Sequence, residues 1–227
     1  MNRQQSIEHC IVKLVFDRPL QEFKAKDLRG AIANLYKDNN LFHQHTADRK
    51  FIYRYPLIQY KIIQGNGIIV GLGEGALTLA KTNFLNKNLY LGKECYLVRE
   101  QEMAVGKRPI GVVDEIIDYY LLTPWLALNE KNSRRYYRIG NQKQKEGLLG
   151  KILIANIISL SKGVRYTIPA QLSVRFNSLK ETTTGLKNTP MIGFTGAFSV
   201  NFDLPDYLGV GKSVSRGFGT IKKIYRD

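Results

Sequence analysis

The sequence predicts an α+β fold whose first half follows the order β-α-β-β-α-β, the ferredoxin-like arrangement that RNA-recognition modules share. Short runs of β-branched and aromatic residues alternate there with segments whose apolar residues recur at helical spacing. The length of 227 residues and the hydrophobic content of 44% suffice for one large or two small packed domains. We therefore expect a globular protein.

The first half supplies each element of that order in turn. Asp27 is a candidate N-cap for the first helix, whose apolar face would contain Leu28, Ile32 and Leu35. Pro56 interrupts the next strand-like region and favours a hairpin or a bent pair there. We expect strands over residues 7–16, 51–55 with 57–63, 68–70 and 89–99, and helices over residues 28–36 and 76–85.

The second half begins after residues 103–109, whose glycine, charged residues and proline make them the best candidate linker. Apolar residues at helical spacing predict a helix over residues 147–162, namely Leu148, Ile152, Ala155 and Ile158. Extended chain is expected over residues 110–122 and 125–128, with a bend at Pro124, and strands over 172–179, 191–202 and 218–225.

The charge of the chain favours a polyanionic partner. Thirty-four Lys and Arg residues against nineteen Asp and Glu residues give a formal net charge of +15. Such an excess repels itself in the folded state, and a bound polyanion would offset that repulsion. Nucleic acid fits best, because phosphate neutralisation with counterion release supplies most non-specific affinity. A basic surface that serves only solubility is the alternative.

The cysteines and the hydropathy pattern indicate a cytoplasmic protein. Cys10 and Cys95 are the only cysteines and lie in apolar, strand-like runs. We interpret them as buried reduced thiols rather than a disulfide or half of a zinc site. No segment has the ~20 apolar residues of a membrane span, and the N-terminus lacks the apolar core of a secretory signal. No membrane partner is therefore expected.

Residues 209–219, GVGKSVSRGFG, are the most distinctive stretch of the sequence and are called the glycine-rich loop below. Glycines let backbone amides approach a ligand and permit positive φ, so successive N–H groups can form an anion-binding concavity. Two cationic side chains in the loop supply the charge that a phosphodiester needs. The candidate binding residues are Gly209, Gly211, Lys212, Ser213, Arg216, Gly217 and Gly219.

Other interpretations of the glycines are less favourable. GVGKS resembles the end of a P-loop, but that motif needs a glycine five positions before Gly211, where the sequence has Asp206. A solvent-facing turn with no ligand is the remaining alternative for the loop. Elsewhere, Gly71, Gly73 and Ala76 match the loosest dinucleotide fingerprint, and we interpret them as small residues that pack a helix against a sheet.

Two of the three histidines are candidates for acid–base catalysis. His43 and His45 follow the polar end of the first helix, and residues two apart on an extended segment share a face. Imidazoles with a pKa of about 6.5 exchange protons at neutral pH. The pair suits RNA cleavage by internal attack, in which one imidazole deprotonates the ribose 2′-hydroxyl and the other protonates the departing 5′-oxygen. A lysine or arginine would stabilise the phosphorane.

Two alternatives remain open for this pair. His43 and His45 could bind a metal ion with Asp38 or Asp48 as a third ligand, although no histidine or cysteine cluster supports such a site. They could also be a structural pair that hydrogen-bonds within a loop. His9 is expected to belong to the packing of a strand.

Five segments, taken together, carry a family resemblance: LFHQH, FIYRYPLIQYKII, GIIVGLGEGA, LTPWLALNEKN and PDYLGVGKSVSRGFGTI. They resemble the CRISPR-associated endoribonucleases that mature CRISPR RNA, the sixth Cas family in its b subtype. The C-terminal glycine-rich loop is the hallmark of that family, and the other four segments are typical of the subtype. The resemblance covers nearly the whole chain.

The resemblance implies two tandem ferredoxin-like (RRM-like, βαββαβ) domains, which we place at residues 1–105 and 106–227. The first would carry the histidine pair and the second the glycine-rich loop. It implies cleavage of CRISPR repeat RNA without a metal or other cofactor, leaving a 2′,3′-cyclic phosphate and a 5′-hydroxyl. The expected partners are repeat RNA and mature CRISPR RNA, other CRISPR-associated proteins and a second copy in a homodimer.

The resemblance also assigns residues. The catalytic pair of the family falls on His43 and His45, and an assisting tyrosine on Tyr53; from the residues alone, Tyr53 and Tyr55 could instead stack on bases or fill a hairpin face. The loop glycines map onto Gly209, Gly211, Gly217 and Gly219, with Lys212 and Arg216 as phosphate contacts. A catalytically inactive RNA-binding subunit on the same fold is the alternative function. A dinucleotide-dependent enzyme built around Gly71 and Gly73 is a third.

Overall fold

Residues 4–43, 55–186 and 189–225 are described by a computed structural model, which gives the backbone alone for His43 and Leu186. The fold is mixed α/β, and its strands pair in the antiparallel sense. Two units can be distinguished. The N-terminal unit contains Ser6–Arg108 together with Val214–Gly217, and the C-terminal unit contains Pro109–Ser213 and the chain from Phe218 onward.

The N-terminal unit is built on a sheet in which the strands follow the order β2-β3-β1-β5, while β4 pairs with β5. Helices α1 and α3 connect strands of this sheet, and a 3₁₀ turn over Glu22–Lys24 precedes α1. The elements are β1 (Gln4–Phe16), α1 (Ala25–Leu35), α2 (Asn40–His43), β2 (Ile58–Ile63), β3 (Asn66–Leu72), α3 (Glu74–Leu79), β4 (Asn88–Leu91) and β5 (Glu94–Trp125).

A tight hairpin joins β2 and β3. Ile63 pairs with Asn66, and the two residues between them have positive φ, 50° at Gln64 and 78° at Gly65. Two successive residues at positive φ match the twist of a hairpin, which explains the glycine there. The prediction that residues 57–63 form a strand is confirmed, but its described partner is β3. The partner predicted from the sequence falls largely outside the described residues.

Helix α1 differs from its prediction at both ends. It begins at Ala25, so Asp27 lies in the first turn, and Lys24 occupies the N-cap without a side-chain cap. Leu28 and Ile32 are fully buried, whereas Leu35 is 44% exposed. The predicted N-cap and the predicted burial of Leu35 are therefore wrong. The helix ends at Leu35, where its last turn no longer covers the sheet.

Close backbone contact holds α3 on β3. A Cβ atom on Gly71 would lie 2.6 Å from the carbonyl oxygen of Gly75 and 2.8 Å from the Cα of Ala76. The interpretation that small residues pack a helix against a sheet is confirmed for Gly71 and Ala76, whereas Gly73 has open space around it and a φ of 52°. The helix itself, Glu74–Leu79, is shorter than the predicted 76–85.

The region predicted as one strand and a linker is two strands. The chain turns at Gly92, where φ is 68°, so that Asn88 pairs with Leu97. Strand β5 then runs without interruption to Trp125. Residues 103–109 are therefore strand, and the linker prediction is wrong. Their side chains are largely exposed, and an exposed strand carries the polar residues that otherwise mark a loop.

The predicted burial is found for His9 and Cys10 of β1 but not for Cys95. His9 and Cys10 are buried in β1, and burial raises the pKa of the Cys10 thiol to about 11. Burial, with a smaller contribution from Arg108, lowers the pKa of His9 to about 4. Cys95 is only half-buried, and both cysteines are free thiols. The prediction that both thiols are buried therefore holds for Cys10 alone.

The C-terminal unit contains a sheet in the order β6-β7-β5-β8. Tyr119 of β5 pairs with Phe198 of β7 on one side and with Lys223 of β8 on the other. Strand β6 pairs with β7 along its length. The elements after β5 are α4 (Glu130–Arg138), α5 (Gln142–Gly163), β6 (Val174–Leu186), β7 (Thr189–Asp203) and β8 (Ile221–Lys223), which confirm the three predicted strands.

Helix α5 confirms the predicted helix, although its buried face is shifted. The Asn141 side chain caps it by accepting a hydrogen bond from the Gln144 amide at 3.3 Å. Ile152 is buried as predicted, but Ala155 and Ile158 are exposed. Leu148 is buried as predicted too, and the other apolar residues of the buried face are Leu149, Leu153, Ile157 and Leu160.

The connection between β7 and β8 contains the glycine-rich loop. A 3₁₀ turn over Val214–Arg216 is the helical element of this connection. In the first unit, the corresponding connection between β3 and the strands that follow contains helix α3. Within the described part of the chain, no helix combines the length and apolar character needed to cross a bilayer.

The contact between α3 and β3 leads to a stability prediction. We expect Gly71→Ala to lower the free energy of unfolding by about 1–3 kcal/mol, because the new methyl group overlaps backbone atoms of α3 that cannot move independently. Gly30→Ala is the matched control. Gly30 lies on the exposed side of α1 with open space around it, so alanine there should stabilise by about 0.4–1 kcal/mol. Urea unfolding of both variants measures the difference, and equal effects would contradict the contact.

Candidate functional site

Backbone hydrogen bonds close the glycine-rich loop at its base in the C-terminal unit. The Val210 amide donates to the Gly219 carbonyl at 2.8 Å, and the Gly219 amide donates to the Pro124 carbonyl at 2.9 Å. Gly209 forms an isolated β-bridge with Thr220. The last glycine of the loop is therefore tied to strand β5, and the first is paired with the residue that follows the loop.

Two loop glycines occupy positions that no other residue fits. At Gly211, φ is 93°, and a Cβ atom would lie 2.6 Å from Nε1 of Trp125. At Gly219, φ is 62°, and a Cβ atom would lie 2.0 Å from the carbonyl oxygen of Val210. The Trp125 ring cannot give way, because it is fully buried and its Nε1 donates to Asn156 at 3.0 Å. The glycines are thus required by both conformation and space.

Lys212 and Ser213 lie at the tip of the loop. The Lys212 side chain is exposed, and its ammonium donates to the carbonyl oxygen of Leu128 at 3.2 Å. A backbone carbonyl neutralises no charge, so the cation keeps its attraction for an anion. Ser213 adopts a left-handed φ of 57°, which reverses the chain after Lys212.

The remainder of the loop, Val214–Gly217, belongs to the N-terminal unit. Val214 is buried, Arg216 is half-buried, and the Gly217 amide donates to the Val214 carbonyl at 3.4 Å. A Cβ atom on Gly217 would lie 2.9 Å from the Cβ of Ala25 and 3.4 Å from the carbonyl oxygen of Tyr60. This turn is therefore seated on α1 and β2.

A buried lysine that the sequence analysis did not identify lies beneath this turn. Lys61 of β2 is fully buried, and its ammonium donates to Oε1 of Gln59 at 2.9 Å and to the carbonyl oxygen of Val214 at 3.5 Å. Within the described ranges, no carboxylate lies within ion-pair distance of it. Burial lowers the pKa of Lys61 to about 7. The available signal was a lysine inside the apolar strand QYKII.

Arg29 of α1 is a second residue that the sequence analysis missed. Burial lowers the pKa of the Arg29 guanidinium, and the charge of Arg216 lowers it further, while Tyr60 acts in the opposite direction. Arg29 and Arg216 therefore lie within electrostatic range of each other in the N-terminal unit. Nothing in the local sequence of α1 distinguishes Arg29 from the exposed Lys26 of that helix.

The structure describes only part of the predicted catalytic group. His43 ends α2, directly after Phe42, whose buried ring stacks on Tyr36 at 4.8 Å between centroids. The backbone at His43 is helical, so the expectation of an extended segment there is wrong. His45 and Tyr53 lie outside the described residues, as does Asp48, so the convergence of the two imidazoles stays a prediction. Tyr55 is buried, which favours packing over base stacking.

An exposed cationic helix is the other basic feature of the C-terminal unit. On α4, Arg134, Arg135 and Arg138 are exposed. Tyr136 anchors this helix, because its buried hydroxyl donates to Glu181 at 2.7 Å and its ring packs against Phe194. The arginine-rich surface is therefore held in a fixed orientation on its own unit.

The burial of Lys61 predicts a pH dependence. The folded-state pKa is about 7 against 10.5 for the ordinary side chain, so between these values the unfolded chain binds the extra proton and stability rises with pH. Lys61→Met removes a buried charge. We expect this variant to be several kcal/mol more stable than the wild type below pH 7, with the difference vanishing as the pH approaches 10.5.

Lys13→Met is the control for this prediction. Its ammonium is partly exposed and lies 2.8 Å from Glu102, so its replacement should change stability by less than about 1 kcal/mol. Denaturant unfolding of both variants from pH 6 to pH 10 measures the effect. A Lys61→Met variant less stable than the wild type at pH 6 would contradict the assignment of an uncompensated buried charge.

The sequence is similar to those of known proteins. The sequence matches the family described as "Cas6b N-terminal domain" over residues 5–108 and "Cas6b C-terminal domain" over residues 111–224. It is 38% identical over 138 residues to "Uncharacterized protein MJ0978" of Methanocaldococcus jannaschii, which covers 61% of this chain and 93% of that protein.

Two solved structures are also similar. "Crystal structure of Cas6b" has a TM-score of 0.89 and 38% identity, and covers 97% of this chain and 100% of that one. "Crystal structure of CRISPR RNA processing endoribonuclease Cas6b" has a TM-score of 0.76 and 36% identity over the same shares of the two chains. Because both domain descriptions match along nearly the whole sequence, the chain belongs to the Cas6b family.

Proposed function

We propose that this protein is a metal-independent endoribonuclease that cleaves CRISPR repeat RNA to mature CRISPR RNA. The observation that carries the proposal is the glycine-rich loop, whose backbone is held so closely at Gly211, Gly217 and Gly219 that side chains are excluded. A loop held in this way presents its cationic side chains to a phosphodiester. Membership in the Cas6b family supports the same activity, because one similar structure bears the name CRISPR RNA processing endoribonuclease.

The proposed architecture is two tandem ferredoxin-like domains over residues 1–105 and 106–227. The strand orders β2-β3-β1-β5 and β6-β7-β5-β8 support it, since each places the first strand of its unit beside the third and the last. In the second domain the glycine-rich loop stands in the place of the second helix.

The proposed chemistry is attack of the ribose 2′-hydroxyl on the adjacent phosphorus. A histidine of the His43 and His45 pair removes the hydroxyl proton, and the other protonates the 5′-oxygen as the P–O bond breaks. The products are a 2′,3′-cyclic phosphate and a 5′-hydroxyl. Tyr53 assists at the reacting group, and Lys212 and Arg216 bind phosphates of the strand. No metal or cofactor takes part in this scheme.

The proposed partners follow from the substrate. Repeat RNA binds before cleavage and CRISPR RNA after it, other CRISPR-associated proteins then receive the product, and two copies of the chain form a homodimer. The net charge of +15 supports an RNA partner. We place the protein in the cytoplasm, where its transcript substrate would be made.

The proposed function is tested by incubating the purified protein with repeat RNA in EDTA. We expect a cut product that ends in a 2′,3′-cyclic phosphate, identified by its resistance to a phosphatase until acid opens the ring. His43→Ala and His45→Ala should each slow cleavage by on the order of 10²-fold or more, the usual size of a general acid–base contribution. Binding of the RNA should be retained in both variants. Tight binding by the wild type without any cut product would favour an inactive RNA-binding subunit.

Lys212 gives a prediction about binding alone. Lys212→Ala removes an exposed ammonium whose described hydrogen bond is to the carbonyl oxygen of Leu128, so the melting temperature should be unchanged. We expect weaker binding of repeat RNA and a plot of log affinity against log salt that is shallower by about 0.7 for one lost phosphate contact. Lys131→Ala, which removes an exposed lysine from α4, is the control for general charge loss. An unchanged slope for Lys212→Ala would exclude Lys212 from the phosphate contacts.

A further inference from the structure

Two lysines of the N-terminal sheet lie in one row but in different surroundings. Lys61 of β2 and Lys13 of β1 both pair with Ile68 of β3. Directly opposed residues of antiparallel strands point to the same face of a sheet, so the two lysines share a face. The Lys13 ammonium is partly exposed beside Glu102, whereas Lys61 is fully buried. Burial therefore disfavours the charge of Lys61 far more than that of Lys13.

The contacts of the Lys61 ammonium are neutral oxygens. It donates to Oε1 of Gln59 at 2.9 Å on its own strand and to the carbonyl oxygen of Val214 at 3.5 Å. The second contact is long for a hydrogen bond, but a full charge still attracts a carbonyl dipole at that distance where water is excluded. Through it, β2 is connected to a residue 153 positions away in the chain.

The backbone of β2 contacts the same turn at its other end. A Cβ atom on Gly217 would lie 3.4 Å from the carbonyl oxygen of Tyr60 and 3.7 Å from the Cα of Lys61. The ammonium of Lys61 contacts the first residue of the turn, Val214, and its backbone lies close to the last. Arg216 lies between these two points of contact. The position of Arg216 is therefore determined at Lys61.

The charged residues around Lys61 do not include an ion-pair partner. The elements that pack most closely on β2 are β3, α1, α3, the 3₁₀ turn before α1 and the Val214–Gly217 turn. Strand β3 has no titratable residue, and the other elements contribute Glu22, Lys24, Lys26, Asp27, Arg29, Glu74 and Arg216. Among the described residues, no carboxylate forms an ion pair with Lys61. The charge of Lys61 is thus offset by dipoles alone.

We propose that Lys61 is a positioning residue for Arg216, whose ammonium ties the Val214–Gly217 turn to β2 and so sets where the Arg216 guanidinium meets an RNA phosphate. The proposal rests on the proposed function for the identity of the ligand. Full burial excludes direct contact between Lys61 and RNA, so Lys61 acts through the turn. This role explains a buried cation that lowers stability, because an apolar residue there would stabilise the fold but leave Val214 without its contact.

The first test compares Lys61→Met with Lys13→Met, which removes the same charge from the same face of the sheet. The ligand is repeat RNA with 2′-O-methyl riboses, which lack the attacking hydroxyl, and its Kd is measured at pH 6. We expect Lys61→Met to weaken binding about tenfold, the scale of a lost hydrogen bond to a charged group, and Lys13→Met to change it little. Equal effects of the two substitutions would overturn the proposal.

Combined substitutions identify the residue through which Lys61 acts. In an Arg216→Gln background, Lys61→Met should leave Kd unchanged, because the guanidinium that it positions is already absent. In a Lys212→Ala background, it should weaken binding by the same factor as in the wild type, because Lys212 belongs to the other unit. An equally large loss in both backgrounds would show that Lys61 acts on the protein as a whole, which contradicts the proposal.

The wild type also gives a pH profile. The pKa of Lys61 is about 7 in the free protein, so its ammonium is present at pH 6 and absent at pH 9. If the ammonium strengthens RNA binding, binding must in turn raise this pKa, and affinity falls as the pH rises through it. The Kd of Lys61→Met divided by that of the wild type should therefore fall from about ten at pH 6 to about one at pH 9. A constant ratio would overturn the proposal.

Hydrogen exchange without RNA separates this proposal from the proposed function. The Gly217 amide donates to the Val214 carbonyl at 3.4 Å, so its protection factor reports opening of the turn. We expect this factor in the wild type to fall between pH 6 and pH 9, and in Lys61→Met to be low at both. If the wild type shows this pattern but fails to bind repeat RNA, the positioning of the turn stands and the RNA function fails. Equal protection in the two proteins at pH 6 would overturn the proposal.

Discussion

The structure depends on the close approach of bare backbone to its neighbours at three glycines. Gly211 lies against the buried ring of Trp125, Gly217 against α1, and Gly219 against the carbonyl of Val210. Each contact is too short for a Cβ atom, and each of these glycines has a positive φ. Within the C-terminal unit, the contacts of Gly211 and Gly219 fix the two ends of the loop, and within the N-terminal unit the contact of Gly217 fixes the Val214–Gly217 turn. Lys212 lies in the first of these segments and Arg216 in the second.

Cationic side chains lie near the Val214–Gly217 turn at positions where burial disfavours their charge. Lys61 donates to the Val214 carbonyl from inside the sheet, and burial holds its pKa near 7. Arg29 and Arg216 are half-buried in the same unit and lie within electrostatic range of each other. Selection for stability alone would favour apolar residues of similar size in place of these buried charged side chains. Their retention is understandable if the folded chain spends most of its working time bound to a polyanion, which compensates the charge.

Many helices and strands could be predicted because their formation depends on local sequence. The strands near residues 7–16, 57–63 and 191–202 and the helix near 147–162 were predicted from alternation and spacing, which depend on short-range sequence. The errors have a common cause in tertiary context. Residues 103–109 were predicted to be a linker because an exposed strand, like a loop, is rich in polar residues. The predicted face of α5 was wrong at Ala155 and Ile158, because tertiary packing, and not the spacing alone, decides which side is covered.

The sequence by itself determined the charge, the order of the main elements, the glycine-rich loop and the family to which its motifs belong. It did so because composition and short motifs are properties of the chain that survive in any conformation. Only the tertiary structure decided which glycines are required and that Lys61 is buried with no carboxylate near it among the described residues. It also decided that Arg29 lies within electrostatic range of Arg216. Residues separated by well over a hundred positions become neighbours only when the strands pair, and their pKa values and contacts arise from that pairing rather than from the residues themselves.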